Sequence, residues 1–137
     1  MTQAHEVPRI LERLRAEHGQ AWRISASMIR VGRERRLQWS AERPWSPAPQ
    51  VVRTRTAEEL DTGLNFHHRL DEVRRAYGDT WVIGCQVKEE GVPCWAWAQR
   101  KERLASPVEN AFSAPTPEEL EERLSEARRR ERLWSIA

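Results

Sequence analysis

One stretch of this chain occurs twice. Leu11-x-x-Leu14-Arg15 … Gly19-x-x-Trp22-x-Ile24 returns as Leu70-x-x-Val73-Arg74 … Gly78-x-x-Trp81-x-Ile83. The correspondence runs on: Trp39 with Trp97, Ser46-Pro47 with Ser106-Pro107, Thr56-x-Glu58-Glu59-Leu60 with Thr116-x-Glu118-Glu119-Leu120, and Leu64 with Leu124. Any fold must therefore be built from one unit of about 60 residues used twice. A unit of that size buries too little surface to be more than marginally stable alone. The expectation is two units, residues 1–64 and 65–137, packed into one pseudo-twofold domain whose middle helices adjoin or are shared over about 57–77.

The order of elements within a unit follows from periodicity. Ile10, Leu11 and Leu14 form an apolar stripe over about 6–18, with Pro8 suited to the first turn and Gly19 ending the helix. Trp22, Ile24, Ala26 and Met28 alternate with Arg23, Ser25 and Ser27, the pattern of a half-buried strand. Gly32-Arg33 reads as a two-residue hairpin turn. Pairing Val31 with Glu34 then places Leu37, Trp39 and Ala41 opposite Met28, Ala26 and Ile24, so both apolar faces coincide. After the Pro-rich residues 43–50, a third strand over about 50–55 leads to a Thr56-x-x-Glu59 capping box. Leu60 and Leu64 lie on one side of the following helix, and Phe66, Leu70, Val73 and Tyr77 on another. Gly63 and Asn65 mark where it can bend.

The second unit repeats the plan. Trp81, Ile83, Cys85 and Val87 point inward, and a three-residue loop near Gly91 sets Trp97 across from Cys85 and Trp95 across from Val87. Thr116-x-x-Glu119 caps a last helix with the stripe Leu120, Leu124, Ala127 and Trp134. The predicted class is α+β: an α-β-β-β-α unit in tandem, with antiparallel three-stranded sheets and helices on one side. Trp22, Trp39, Trp81, Trp95 and Trp97 are assigned to the core.

Chemistry-bearing patterns are few. Cys85 and Cys94 are too few for a disulfide scaffold, and the hairpin register holds them apart. His67 and His68 point about 100° apart on a helix and do not share an ion. His5 and His18 have no partner pattern. No nucleophile elbow, phosphate loop or zincin motif is present. The expectation is no catalytic residue, no cofactor and no metal. No run of 18 apolar residues predicts a membrane span. Residues 1–9 lack a basic-then-apolar leader pattern, so a cytoplasmic location is expected.

Charge divides the chain. Residues 1–60 carry 11 Arg and 7 acids, a net +4; residues 61–137 carry 12 bases and 14 acids, a net −2. Arg30, Arg33, Arg35 and Arg36 crowd one hairpin tip, with Arg53 and Arg55 on the third strand. Such a basic ribbon suits nucleic-acid phosphates. The bland alternative is a solvated hairpin end in a chain whose bases, apart from Lys88 and Lys101, are all Arg. The tip of the second unit, Lys88-Glu89-Glu90-Gly91, is acidic. The outward sheet face is expected to carry Ser25, Ser27, Gln38 and Ser40 in one unit and Val82, Gly84, Ala96 and Ala98 in the other. Flat faces of small residues are often covered by a partner or a second copy. Ser25, Ser27, Val82, Ala96 and Ala98 are the candidate interface, with Trp45 as an anchor.

The helix–three-strand–helix order resembles the double-stranded-RNA-binding domain in layout. That family's basic opening to its last helix is replaced here by Glu58-Glu59 and Glu118-Glu119, so the resemblance does not carry that family's route to RNA. The Gly-x-x-Trp strand, the Trp-bearing second strand and the Thr-x-x-Glu-Leu helix also resemble small Trp-rich uncharacterised proteins of actinobacterial type, a group with no activity to transfer. The reading from sequence is a non-enzymatic protein-interaction or adaptor module of a GC-rich bacterium, partnered by another protein or by itself. The alternative is a nucleic-acid-binding regulatory protein using the Arg-rich hairpin; a small enzyme is third.

Overall fold

The computed structural model describes residues 4–43, 50–88, 91–105 and 108–136, with side chains described for residues 5–133 of these. A 3-10 turn over Ala4–Glu6 leads into α1 (Val7–His18), then β1 (Arg23–Val31), β2 (Glu34–Arg43), β3 (Gln50–Thr54) and α2 (Ala57–Tyr77). The second copy supplies β4 (Trp81–Val87), β5 (Pro93–Arg100), β6 (Ala111–Ala114) and α3 (Pro117–Ile136). Two antiparallel sheets form, in the orders β1-β2-β3 and β4-β5-β6. The fold is therefore α+β with a repeated unit. By its contacts the chain divides into unit 1, Met1–Asn65 with Lys88–Val92, and unit 2, Phe66–Val87 with Pro93–Ala137.

Unit 1 has the register that its alternation predicts. Ile24 faces Ala41, Ala26 faces Trp39, Met28 faces Leu37 and Val31 faces Glu34. Gly32 takes a φ of 63° in the turn, a conformation that a side chain disfavours. Leu14 from α1, and Ala57, Leu60 and Leu64 from α2, bury against Trp22, Ile24, Trp39, Ala41 and Val52, with Val92 packed at the margin. The helices cover one face of the sheet. Thr56 Oγ1 accepts a hydrogen bond from the Glu59 amide, as the capping box requires.

Unit 2 reproduces these devices. Thr116 Oγ1 caps the Glu119 amide. Leu70, Val73 and Tyr77 from α2, and Leu120 and Leu124 from α3, bury against Trp81, Ile83, Ala96, Ala98 and Ala114. Arg15 Nε and Nη2 donate to the Ile24 carbonyl in unit 1, and Arg74 Nε donates to the Ile83 carbonyl in unit 2. A guanidinium covers the buried indole in each: Arg43 Cζ lies 4.6 Å from the Trp22 ring centroid, and Arg100 Cζ lies 4.4 Å from that of Trp81. Each stack is worth on the order of 1–2 kcal/mol where water is excluded. α2 runs unbroken through Gly63 and Asn65. Gly63 is buried within it.

The hairpin of unit 2 departs from expectation by one residue. Gly84 faces Trp97, Cys85 faces Ala96 and Gln86 faces Trp95, with an irregularity between Gln86 and Val87. Because side chains alternate, this slip exchanges the faces of β5. Ala96 and Ala98, expected outside, are core residues at 0% and 1% exposure, while Trp95 is 40% exposed and Trp97 lies half-buried on the outer face. The physical reason is visible at two residues. Arg100 must face inward to lie on Trp81, which brings Ala98 and Ala96 inward with it. Gly84 leaves room for the Trp97 indole: a Cβ there would sit 2.5 Å from Trp97 Cζ2. The structural counterpart of Trp39 is therefore Ala96, not Trp97. Where unit 1 carries Val7, His18 and Val52, unit 2 carries Phe66, Tyr77 and Phe112, and these aromatics stand in for the missing indole. Phe112 lies 5.3 Å from the Trp81 ring centroid.

Candidate functional site

The most concentrated chemistry in unit 1 is an open cleft of about 630 Å³ at the hairpin end of its sheet. Ile29 and Val31 from β1, and Arg36, Leu37 and Gln38 from β2, form one wall. Arg53, Thr54 and Arg55 bring in the end of β3, Glu59 the first turn of α2, and Lys88 and Val92 complete the lining. Cross-strand pairing explains the placement. Ile29 is registered with Arg36, and Arg53 with Ser40 four residues further along β2.

Among the described residues, four cationic side chains, Arg36, Arg53, Arg55 and Lys88, thus share one cleft with one carboxylate, Glu59. Ile29, Val31, Leu37 and Val92 contribute apolar lining. Arg36 Nε is shielded from solvent and has no hydrogen-bond partner among the described residues. A shielded donor of this kind costs roughly 1–3 kcal/mol until an acceptor reaches it. Thr54 is held by a hydrogen bond from its Oγ1 to the Thr56 carbonyl, which fixes the turn between β3 and α2. Among the described lining residues there is no His or Cys, and Glu59 is the one carboxylate.

Of the six arginines singled out by sequence, the structure brings Arg36, Arg53 and Arg55 together in the cleft. Arg30, Arg33 and Arg35 are exposed on the hairpin but do not line it. Sequence reasoning missed Lys88, because its neighbours Glu89 and Glu90 gave that tip an acidic character; those two lie outside the described residues. Val92 was missed as well, since nothing in its local pattern assigns it to unit 1.

The candidate interface positions divide. Ser25 and Ser27 are exposed on the outer face of unit 1, where Ser25 Oγ lies 3.0 Å from Ser40 Oγ. Val82 is 49% exposed on unit 2. Ala96 and Ala98 are withdrawn as surface residues by the register described above. Trp45, the proposed anchor, lies outside the described residues. Neither Cys85 nor Cys94 forms a disulfide among the described residues, and Cys94 Sγ lies 3.5 Å from the Gln86 carbonyl oxygen. His18, for which the sequence offered no partner, places Nε2 2.7 Å from Asp61 Oδ1 and 3.7 Å from Glu17 Oε2. No spacing rule links residues 17, 18 and 61; the first turns of α2 bring Asp61 to the end of α1.

Comparison with protein-family models, with curated proteins and with solved structures finds no match. No described helix is long and apolar enough to cross a membrane.

Proposed function

We propose that unit 1 binds nucleic acid through the cleft formed by Arg36, Arg53, Arg55 and Lys88. The observation that carries this reading is their convergence with the unpaired Arg36 Nε donor, in a cleft that also offers apolar lining. Guanidinium groups meet phosphate oxygens with paired donors, so three of them can track a phosphodiester chain. The guanidinium planes of Arg36, Arg53 and Arg55, beside the apolar lining residues Ile29, Val31, Leu37 and Val92, also suit the face of an unstacked base, which favours a single strand over a duplex. The test is fluorescence anisotropy with labelled single-stranded and duplex oligonucleotides at two salt concentrations. Binding to the single strand should weaken steeply with salt. Arg36→Glu with Arg53→Glu should abolish it, and each lost phosphate contact should lower the salt slope by about 1. Salt-independent binding, or binding indifferent to both substitutions, overturns the reading.

A second reading rests on unit 2. The outer face of its sheet presents Val82, Gln86, Trp95, Trp97 and Gln99 without a charged side chain among them. An exposed indole, Trp95, and a half-buried one, Trp97, beside the exposed Val82 suit a protein partner or a second copy of the chain. Light scattering tests it: a dimer that Trp95→Ser converts to a monomer supports this interface, and a monomeric wild type removes self-association.

A further inference from the structure

We infer that unit 1 carries a divalent metal site formed by Glu17, His18 and Asp61. His18 is the last residue of α1, and its side chain is largely buried. Its Nε2, the Asp61 carboxylate and the Glu17 carboxylate place their donor atoms within 4.8 Å of one another. Around a tetrahedral zinc, with bonds of about 2.0–2.2 Å, neighbouring donors stand roughly 3.3 Å apart. Nε2 is hydrogen-bonded to Asp61 Oδ1 at 2.7 Å and lies 3.7 Å from Glu17 Oε2, separations that straddle that value, and a bound ion would replace the hydrogen bond. Small side-chain rotations would admit the ion, with water completing its shell.

The duplication supplies an internal control. The residue before the stop glycine is His18 in unit 1 and Tyr77 in unit 2. In unit 2 a cation already occupies this helix end: Arg128 Cζ lies 4.1 Å from the Tyr77 ring centroid, and Arg128 Nη2 donates to the Ala76 carbonyl at 2.9 Å. The C-terminal end of a helix attracts positive charge through its exposed carbonyls. The residue that corresponds to Arg128 by the repeat is His68, which belongs to unit 2 and lies beside Glu72 there, so the repeat gives unit 1 no counterpart of this arginine. Instead unit 1 gathers an imidazole and two carboxylates at its helix end. The nearest guanidinium along α1, that of Arg15, is engaged by the Ile24 carbonyl. One unit thus holds its cation covalently, and the other holds the ligands for a borderline metal of the zinc class, for which imidazole with carboxylate is a suitable donor set.

The test uses the full chain, stripped with chelator and titrated with Zn²⁺ by calorimetry. Co²⁺ absorption reports the geometry. One equivalent should bind in the micromolar range or tighter, and bound Co²⁺ should show the intense visible bands of a tetrahedral site. His18→Gln and Asp61→Asn should each weaken binding at least tenfold, with far-UV circular dichroism confirming that the variants fold. Glu121→Gln, the position in unit 2 that corresponds to Asp61, should leave it unchanged. Binding no tighter than about 100 µM overturns the proposal, as does binding that survives His18→Gln, which would belong to other histidines.

Discussion

Trp39→Ala should be among the most damaging single substitutions in unit 1, and Trp97→Ala should be mild. The two residues look equivalent in sequence, yet Trp39 has no exposed surface and Trp97 lies on the outer sheet face. A fully buried indole removes roughly 150–250 Å² from water. At about 25 cal/mol per Å² this corresponds to about 4–6 kcal/mol, an upper bound because the unfolded chain already hides part of it. One offset is specific to this site. The indole Nε1 of Trp39 is buried with no hydrogen-bond partner among the described residues, so its removal returns roughly 1–3 kcal/mol. The net loss for Trp39→Ala is then about 3 kcal/mol. Trp39→Phe keeps most of the ring and drops the unsatisfied N–H, and should cost less than about 1.5 kcal/mol. Trp97→Ala should cost about 1 kcal/mol. Urea unfolding followed by far-UV circular dichroism measures all three, read from midpoints at constant slope. If Trp97→Ala cost as much as Trp39→Ala, or Trp39→Ala less than about 1 kcal/mol, the assignment of faces would be wrong.

Other substitutions probe particular contacts. Gly91 has a φ of 82°, and a Cβ there would lie 2.0 Å from the Val51 carbonyl oxygen, so Gly91→Ala should lower the melting temperature distinctly more than Gly32→Ala, whose Cβ meets open space. Arg100→Met should destabilise more than an exposed Arg→Met such as Arg103→Met, because it removes the stack on Trp81, the donor to the Glu109 carbonyl and the partner of Glu131 together; thermal unfolding compares the two. At Glu118, desolvation raises the carboxyl pKa, but the hydrogen bond to its own amide, the Arg69 guanidinium and the Thr116 hydroxyl together hold it below 4.5. A lowered folded-state pKa contributes stability that is present above the unfolded value and lost as pH falls through the folded one. The stability difference between wild type and Glu118→Gln should therefore be constant near neutrality and shrink below about pH 4.5. A difference that persists at pH 2 would contradict this sign.

Unit 1 was legible in its sequence almost residue by residue, because its apolar alternation and its Gly32 turn agree on one register. The unbroken run of α2 was not, since a glycine such as Gly63 inside a helical pattern reads equally as a break or as a tolerated interior residue. In unit 2 the β5 segment Trp95-Ala96-Trp97-Ala98 is ambiguous in itself: either parity gives an alternating pattern of large and small residues. Matching Trp97 to Trp39 chose the wrong parity. The deciding residues, Gly84 and Arg100, act across the sheet, through space for an indole on one face and a guanidinium on Trp81 on the other. The candidate cleft was half legible. The Arg-rich composition of unit 1 pointed to Arg36, Arg53 and Arg55, but not to Lys88, which joins them from far along the chain. Likewise the pairing of His18 with Asp61 exists only once α1 and α2 lie on the same sheet.

The most direct test of the cleft is nuclear magnetic resonance of the arginine side chains, with ¹⁵N-labelled protein titrated by a short single-stranded oligonucleotide. The account predicts that the Nε–H signal of Arg36 moves first and furthest as it gains an acceptor, accompanied by Arg53 and Arg55, while Arg100 and Arg128 stay still. Shifts confined to unit 2, or an Arg36 signal unmoved at saturation, would contradict it.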